Sequence, residues 1–308
     1  MLDYFLTVLG QIFTMALMVV VGYIMFKAKM LSEKGIKELS VLLLRIVTPM
    51  ILVSSFQRPF DKGLLSSWII MLAASVLIYF IHIIIAELIF AKRGKNYAEN
   101  KLSLVLPNNG FFAFPLLQAL VGEYGIFYGS ANVILFNILL WTYGSRQMKP
   151  GEKFRIKNIL LNPGVIGIVL GLILFCSPYK LPAPVFNAIS SIGALNTPLA
   201  MIVLGGMLAQ TDLKKGFSNG NYYLLAGLKL LIIPFLMMII FKLIPISDNV
   251  KLVSFICSAT PTATAVGMIA QIYDKDYRYA TAAVVIITAL SAVTLPIMLT
   301  LGKAFLGY

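Results

Sequence analysis

Charge is scarce in this chain, and acid is scarcer than base. Only 12% of the 308 residues are Asp, Glu, Lys or Arg, and 12 acids stand against 25 Lys and Arg, a net charge of +13. A soluble globular protein averages about 25% charged. There is one histidine, His82, so a histidine-based metal site has no ligands to draw on and none is expected. Two cysteines, Cys176 and Cys257, lie far apart inside apolar runs and read as small buried hydrophobes. What the chain has instead is apolar side chains, 59% of the total, with a mean hydropathy of +0.91. A soluble domain of this size cannot hide that much apolar surface. The composition therefore excludes a water-soluble enzyme, a nucleic-acid-binding protein and a disordered chain, and implies an all-α polytopic protein whose partner is the lipid bilayer.

A bilayer core takes about 20 apolar residues per helix. Ten stretches qualify: Tyr4–Phe26, Gly35–Phe56, Leu65–Phe90, Leu102–Leu120, Tyr124–Tyr143, Ile159–Phe175, Phe186–Leu208, Tyr222–Phe241, Val250–Ile272 and Tyr277–Leu301. They leave only short loops. The first has its basic cluster after it, the reverse of a cleaved signal peptide, and reads as a retained helix. Basic residues sort by side. Seventeen follow the odd-numbered spans: Lys27, Lys29, Lys34, Lys37, Lys92, Arg93, Lys95, Lys101, Arg146, Lys149, Lys153, Arg155, Lys157, Lys214, Lys215, Lys275 and Arg278. Six lie on the other side: Arg58, Lys62, Lys180, Lys242, Lys251 and Lys303. That bias predicts both termini outside a cell membrane, and an even span count.

The longest basic loop divides the chain into 1–148 and 149–308, with five spans each. Landmarks recur across the division. Pro49 in span 2 matches Pro198 in span 7, 149 residues on, and Pro107 in span 4 matches Pro261 in span 9, 154 residues on. An odd number of spans per half places the second half upside down, the inverted repeat of many secondary transporters.

The two later prolines sit in polar interruptions. Span 4 carries Pro107-Asn108-Asn109-Gly110, and span 9 carries Thr260-Pro261-Thr262-Ala263-Thr264. Proline removes a backbone donor and disrupts the preceding turn, and Asn and Gly favour non-helical backbone. Such segments cannot face lipid. Entering from opposite sides, they are expected to meet near the midplane. Each then offers a half-helix N-terminus with free N–H groups and partial positive charge, a ready site for an anion. Asn108, Asn109, Gly110, Thr260, Thr262 and Thr264 are the expected substrate-binding residues, with Pro107, Pro261, Pro49 and Pro198 shaping the backbone.

At these residues the sequence resembles a known family. Leu106-Pro107-Asn108-Asn109-Gly110 running to Phe114-Pro115-Leu116-Leu117 is similar to the span-4 motif of the auxin efflux carriers, which include plant auxin exporters and bacterial malate or malonate permease-like proteins. Asn162-Pro163, Thr197-Pro198-Leu199 with Gly205 and Leu208, and Pro261 with Ala270 and Tyr273 extend the resemblance over nearly the whole chain. It implies a fold related to bile acid symporters and sodium/proton antiporters. Spans 1, 2, 6 and 7 would form a dimerising scaffold, and spans 3–5 and 8–10 a transport domain moving as an elevator. It further implies Asn108 as the substrate-facing asparagine. Asn109 stands where the family often has threonine, and Ala113 where it has glycine. The long loop of the plant exporters is absent.

Intramembrane charges are functional candidates. Lys229 lies about 15 Å into span 8 and reads either as a counter-charge to an anionic substrate or as a residue that snorkels or pairs with a carbonyl. Arg45, one turn before Pro49, reads as structural, and His82 as a packed residue whose titration range suits a proton-linked step. Glu87 reads as interfacial, and Asp274 and Asp276 as a solvated loop. Spans 5 and 10 carry no acid at depth, which argues against a cation/proton exchanger. Coupling to sodium through neutral ligands, or to protons, stays open, with Asn132 and Asn137 of span 5 as candidate ligands or interhelical bonds. No further cofactor is expected. Gly164, Gly167 and Gly171 read as packing residues. With no nucleophile and base, carboxylate pair or histidine cluster at depth, an intramembrane enzyme lacks its parts. Two readings remain: a carrier of a small organic acid, or an ion-coupled symporter of another solute on the same fold.

Overall fold

In the computed structural model, residues 2–91, 96–151, 156–211 and 217–307 are described. The basic residues Lys92, Arg93, Lys95, Lys153, Arg155, Lys214 and Lys215 lie outside them. The described residues are mostly helical, with the stretches 102–120 and 250–272 interrupted by non-helical backbone. The elements are α1 (Leu2–Lys27), α2 (33–55), α3 (Lys62–Ile89), α4 (Tyr97–Val105), α5 (Asn109–Val121) and α6 (Tyr124–Met148), then α7 (Pro163–Cys176), α8 (Ala183–Gln210), α9 (Gly220–Leu243), α10 (Asp248–Ala259), α11 (Ala265–Ile272) and α12 (Tyr277–Leu306). Six of them, α1, α3, α6, α8, α9 and α12, are long and apolar enough to cross a membrane, and α5 and α7 are shorter apolar helices.

Three of the four π turns among the described residues stand just before a proline; the fourth, at Leu140–Gly144, does not. Pro49, Pro115 and Pro234 each stand two residues after a π turn, at Leu43–Val47, Asn109–Ala113 and Leu228–Ile232. A proline ring collides with the carbonyl four residues back and offers it no N–H. Widening the preceding turn by one residue relieves that clash without breaking the helix. Between α5 and α6, Gly122 turns the chain at φ 73°, a conformation only glycine takes without strain.

Small residues set the closest crossings. Gly22 of α1 lies on the main chain of Ile202 in α8, and Gly205 of α8 lies on the main chain of Val19 and Tyr23 in α1. Gly167 of α7 packs on Pro49 of α2, and Gly171 on Phe56, as expected of that stripe; Gly164 sits beside Asn137 and Leu52. On the other side of the molecule α3 packs on α4, α6 and α10, while α12 packs on α9, α10 and α11.

One charged residue differs from its expected place. Lys101 belongs not to a loop but to the interior, only 2% exposed, with Nζ donating to Glu87 Oε2 at 2.6 Å. Tyr143 Oη and Gln147 Nε2 donate to the other Glu87 oxygen, so Glu87 is the hub of a four-residue polar cluster. Asp276, read as solvated, caps α12 by accepting from the Tyr279 N–H, while its own N–H donates to Glu99. These contacts anchor the start of α4 to α3, α6 and α12.

Candidate functional site

Helix α4 stops at Val105 because Pro107 lacks an N–H, and α10 stops at Ala259 ahead of Pro261. Leu106 (φ −97°, ψ 101°) and Thr260 (φ −68°, ψ 150°) are extended. The two extended segments run antiparallel and pair, with Pro107 opposite Thr262. The Asn108 N–H donates to Pro261 O at 2.8 Å, and the Ala263 N–H donates to Leu106 O at 2.9 Å. Each break thus satisfies main-chain groups that the other leaves bare, which is what irregular backbone at membrane depth requires.

Side chains tie the crossing to its neighbours. Asn109, 2% exposed, accepts from Thr260 Oγ1 at 3.0 Å and donates through Nδ2 to Asn132 Oδ1. Tyr79 Oη donates to the same Asn132 oxygen at 2.8 Å, and Asn132 Nδ2 donates to Ser75 Oγ at 3.3 Å. Thr262 Oγ1 donates to Ser103 O at 2.7 Å. From α8, Asn196 Nδ2 donates to Gly110 O at 3.0 Å, and its Oδ1 accepts from Thr48 Oγ1 at 3.4 Å.

Lys229 is fully buried, and its ammonium donates to Leu104 O at 2.7 Å. The reason lies in the break. Leu104 O would accept from the Asn108 N–H in a continuous helix, but that donor is spent on Pro261 O. The Lys229 side-chain amine therefore takes the place of that missing donor at the C-terminal end of α4. Of the two sequence readings of Lys229, the structure places it on the carbonyl.

The expected site residues fall into three groups. Asn109, Thr260, Thr262 and Asn132 are brought together as a bonded hub, and Lys229 caps the α4 end of the same crossing. Asn108, Gly110 and Thr264 form its less crowded margin. Asn108 is 5% exposed, and among the described residues its carboxamide makes no hydrogen bond. A side chain at Gly110 would meet open space, and Thr264 is part-exposed at the start of α11. Arg45 and Asn137 are not brought to the crossing. Arg45 is exposed on α2, and Asn137 donates to Val133 O within its own helix, beside α7. Pro49 and Pro198 flank the nearby Thr48–Asn196 bond. Sequence reasoning missed Ser75, Tyr79, Ser103 and Asn196. Ser75, Tyr79 and His82 fall at helical spacing on one face of α3, a polar stripe visible in an apolar run, and Asn196 directly precedes Thr197-Pro198.

Beside this margin lies a cavity of about 190 Å³ between α1, α5, α8 and α12, walled by Ile12, Met15, Phe112, Met201, Leu204 and Thr288 among others. Apart from Thr288 its walls are apolar. A second hollow of about 300 Å³, with Tyr4, Asp248, Asn249 and Lys303 in its lining, lies at the far ends of α1, α5, α10 and α12.

Six helices long and apolar enough to cross a membrane fit a multi-pass membrane protein, and the relatives of the chain are transporters rather than enzymes. The family described as membrane transport protein matches residues 7–299, and the chain belongs to it, in the line of the auxin efflux carriers. An uncharacterized transporter of Methanocaldococcus jannaschii is 24% identical over 291 residues, covering 89% of this chain and 92% of that one. Another uncharacterized transporter, from Methanothermobacter thermautotrophicus, is 23% identical over 295 residues, covering 93% and 95%.

Proposed function

We propose that this protein is a secondary carrier for a small organic anion, a carboxylate, bound at the crossing of the two broken helices. The observation that carries the reading is the Asn108–Gly110 margin. The Asn108 carboxamide, which makes no hydrogen bond among the described residues, and an open glycine stand at the N-terminal end of α5, where N–H groups and the helix dipole favour negative charge. The adjoining cavity supplies the other half of the site. Its 190 Å³ exceeds the roughly 150 Å³ of an apolar cavity known to take benzene. It suits a carboxylate with an apolar body better than one polar throughout.

In this reading ten segments cross the membrane as two inverted repeats, 1–148 and 149–308, with both termini outside. Support comes from contacts at the repeat spacing: Thr48 bonds Asn196, 148 residues on, and Asn109 bonds Thr260, 151 residues on. Helices α1, α2, α7 and α8 form the scaffold, through which two copies pair. The remaining helices form the transport domain, which moves as an elevator against the cavity wall. Lys229 Nζ already occupies the Leu104 carbonyl at the α4 end, so that carbonyl is not free to bind sodium.

Uptake into proteoliposomes, with p-aminohippurate and malonate as probes, tests the reading. Uptake of p-aminohippurate is expected to exceed that of malonate, and Asn108→Ala is expected to lower it about tenfold, the loss of one hydrogen bond to a charged group. Wild-type rates in Asn108→Ala overturn the site. Uptake of neither acid overturns the substrate class.

A further inference from the structure

The Gly110 carbonyl has lost the donors its own helix would give it. In the π turn that opens α5, the Phe114 N–H, four residues on, donates to Asn109 O. The residue five on is Pro115, which has no N–H. A main-chain acceptor left unpaired away from water costs free energy. The missing donor comes from another helix. Asn196 of α8, fully buried, gives its Nδ2 to Gly110 O at 3.0 Å. A carbonyl only accepts, so the NH2 end of that carboxamide must face Gly110. The other end, Oδ1, accepts from the hydroxyl of Thr48 in α2, also buried, at 3.4 Å. Two side chains from two helices thus brace one peptide of α5.

The opposite edge of that peptide is empty. In a trans peptide the N–H lies opposite the C=O, so the Phe111 N–H points away from Asn196, out of the N-terminal end of α5. Neither it nor the Gly110 N–H makes a hydrogen bond among the described residues. The carbonyls within their reach are taken: Leu106 O accepts from Ala263, Pro107 O from Asn109, and Asn108 O from Phe112 and Ala113. Next to these two donors in the chain stands the Asn108 carboxamide, 5% exposed and equally without a hydrogen bond among the described residues.

We propose that Asn196 is a positioning residue for the substrate anion. It does not touch the ligand. It holds the Gly110–Phe111 peptide by the carbonyl and so fixes the direction of the N–H on the other edge, which donates to the carboxylate. A carbonyl that accepts a hydrogen bond also makes the N–H of its own peptide a better donor. Glycine makes the brace necessary: Gly110 has no side chain to pack, and the space a Cβ would enter is open, so nothing else at that residue keeps the peptide from turning. Thr48 acts one step further back, through Asn196. The proposal rests on the carrier reading above and adds what keeps its N–H donors aimed.

Uptake of p-aminohippurate into proteoliposomes gives KM and kcat separately. Asn196→Ala is expected to raise KM about tenfold, the loss of one hydrogen bond to a charged group, with kcat within about twofold of wild type. Thr48→Val keeps the shape, removes the hydroxyl and raises KM about threefold. The double variant is no worse than Asn196→Ala, because Thr48 acts only through Asn196. The peptide itself can be watched by magnetic resonance in nanodiscs. Carbonyl-carbon-13 glycine with nitrogen-15 phenylalanine selects the two Gly-Phe pairs of the chain, Gly110–Phe111 and Gly216–Phe217, and Phe217→Leu tells them apart. Saturating p-aminohippurate is expected to shift the Phe111 amide, and about tenfold more is needed for the same shift in Asn196→Ala. A wild-type KM in Asn196→Ala, a fall in kcat without a rise in KM, or a Phe111 amide indifferent to an acid that is nonetheless taken up overturns the positioning role and leaves the carrier reading standing. If Asn196→Ala does not fold, judged by thermal unfolding in detergent, the KM of Thr48→Val decides alone. Uptake of neither p-aminohippurate nor malonate by the wild type overturns the carrier reading itself.

Discussion

The two helix breaks have the same main-chain architecture and different side-chain work. Both end a helix before a proline, and each lends the other a backbone hydrogen bond. The first break, at Pro107-Asn108-Asn109-Gly110, reaches outward. Its Asn109 joins α10 and α6, its Gly110 carbonyl holds α8, and its Asn108 amide is left over. The second, at Thr260-Pro261-Thr262-Ala263-Thr264, turns inward. The Thr260 hydroxyl lies 3.0 Å from both Cys257 O and Asn109, and Thr262 closes on Ser103 O. Amides offer both donors and acceptors on a longer arm, so they connect helices and bind ligand. Hydroxyls on a short β-branched stem close on carbonyls within reach, Thr260 on that of Cys257 and Thr262 on that of Ser103 across the crossing. Symmetry of backbone need not bring symmetry of function: in the function proposed above, the first break faces the substrate and the second supports it.

The largest test of that asymmetry is Asn109→Leu, which keeps the volume and removes the amide. It removes the bond from Thr260, whose hydroxyl still reaches Cys257 O, and the bond to Asn132, which Tyr79 still serves. Interhelical hydrogen bonds in membranes average about 0.6 kcal/mol and reach about 1.7 each, and two are lost here. A loss of about 2 kcal/mol in unfolding free energy is expected, with uptake abolished. A stability change under about 0.5 kcal/mol would mean that the hub does not hold the crossing together.

Next in size is Thr262→Val, which removes the bond to Ser103 O at constant shape. About 1 kcal/mol of stability should go, measured by thermal unfolding in detergent, while uptake falls no more than about twofold. A loss of transport equal to that of Asn108→Ala would make the two breaks functional equals and dissolve the comparison.

How much of this was legible beforehand differs by scale. The breaks were, because a proline amid Asn, Gly or Thr interrupts an apolar run whatever surrounds it, and the match of Pro107 to Pro261 foretold that they meet. Their partners were not. Nothing in the periodicity of α3 says that Tyr79 faces Asn132 rather than lipid, and Asn196 lies 86 residues from the carbonyl it holds. Lys229 illustrates the limit well. Its two readings differ only in whether a carbonyl elsewhere is free, and that carbonyl is freed 125 residues away. Lys101 misled for the opposite reason. It sits at the edge of an apolar run, where a loop charge belongs, and only the folded α3 brings Glu87 to it.

Thr264 provides the smallest and sharpest test. It opens α11, part-exposed, with αR backbone at φ −59° and ψ −26°, and its hydroxyl does not cap the helix. By position it mirrors the margin that Asn108 and Gly110 form on the first break, so a symmetric site would use it. An asymmetric one would not, since Thr264 holds no neighbour in place and stands outside the hub. Thr264→Ala should then change unfolding free energy by less than about 0.5 kcal/mol, as substitutions without a buried partner do, and uptake by less than twofold. Because the fold is expected to be untouched, any larger fall in p-aminohippurate uptake has a single cause: substrate contact at the second break. The smallest predicted effect is therefore the cleanest discriminator between one binding face and two.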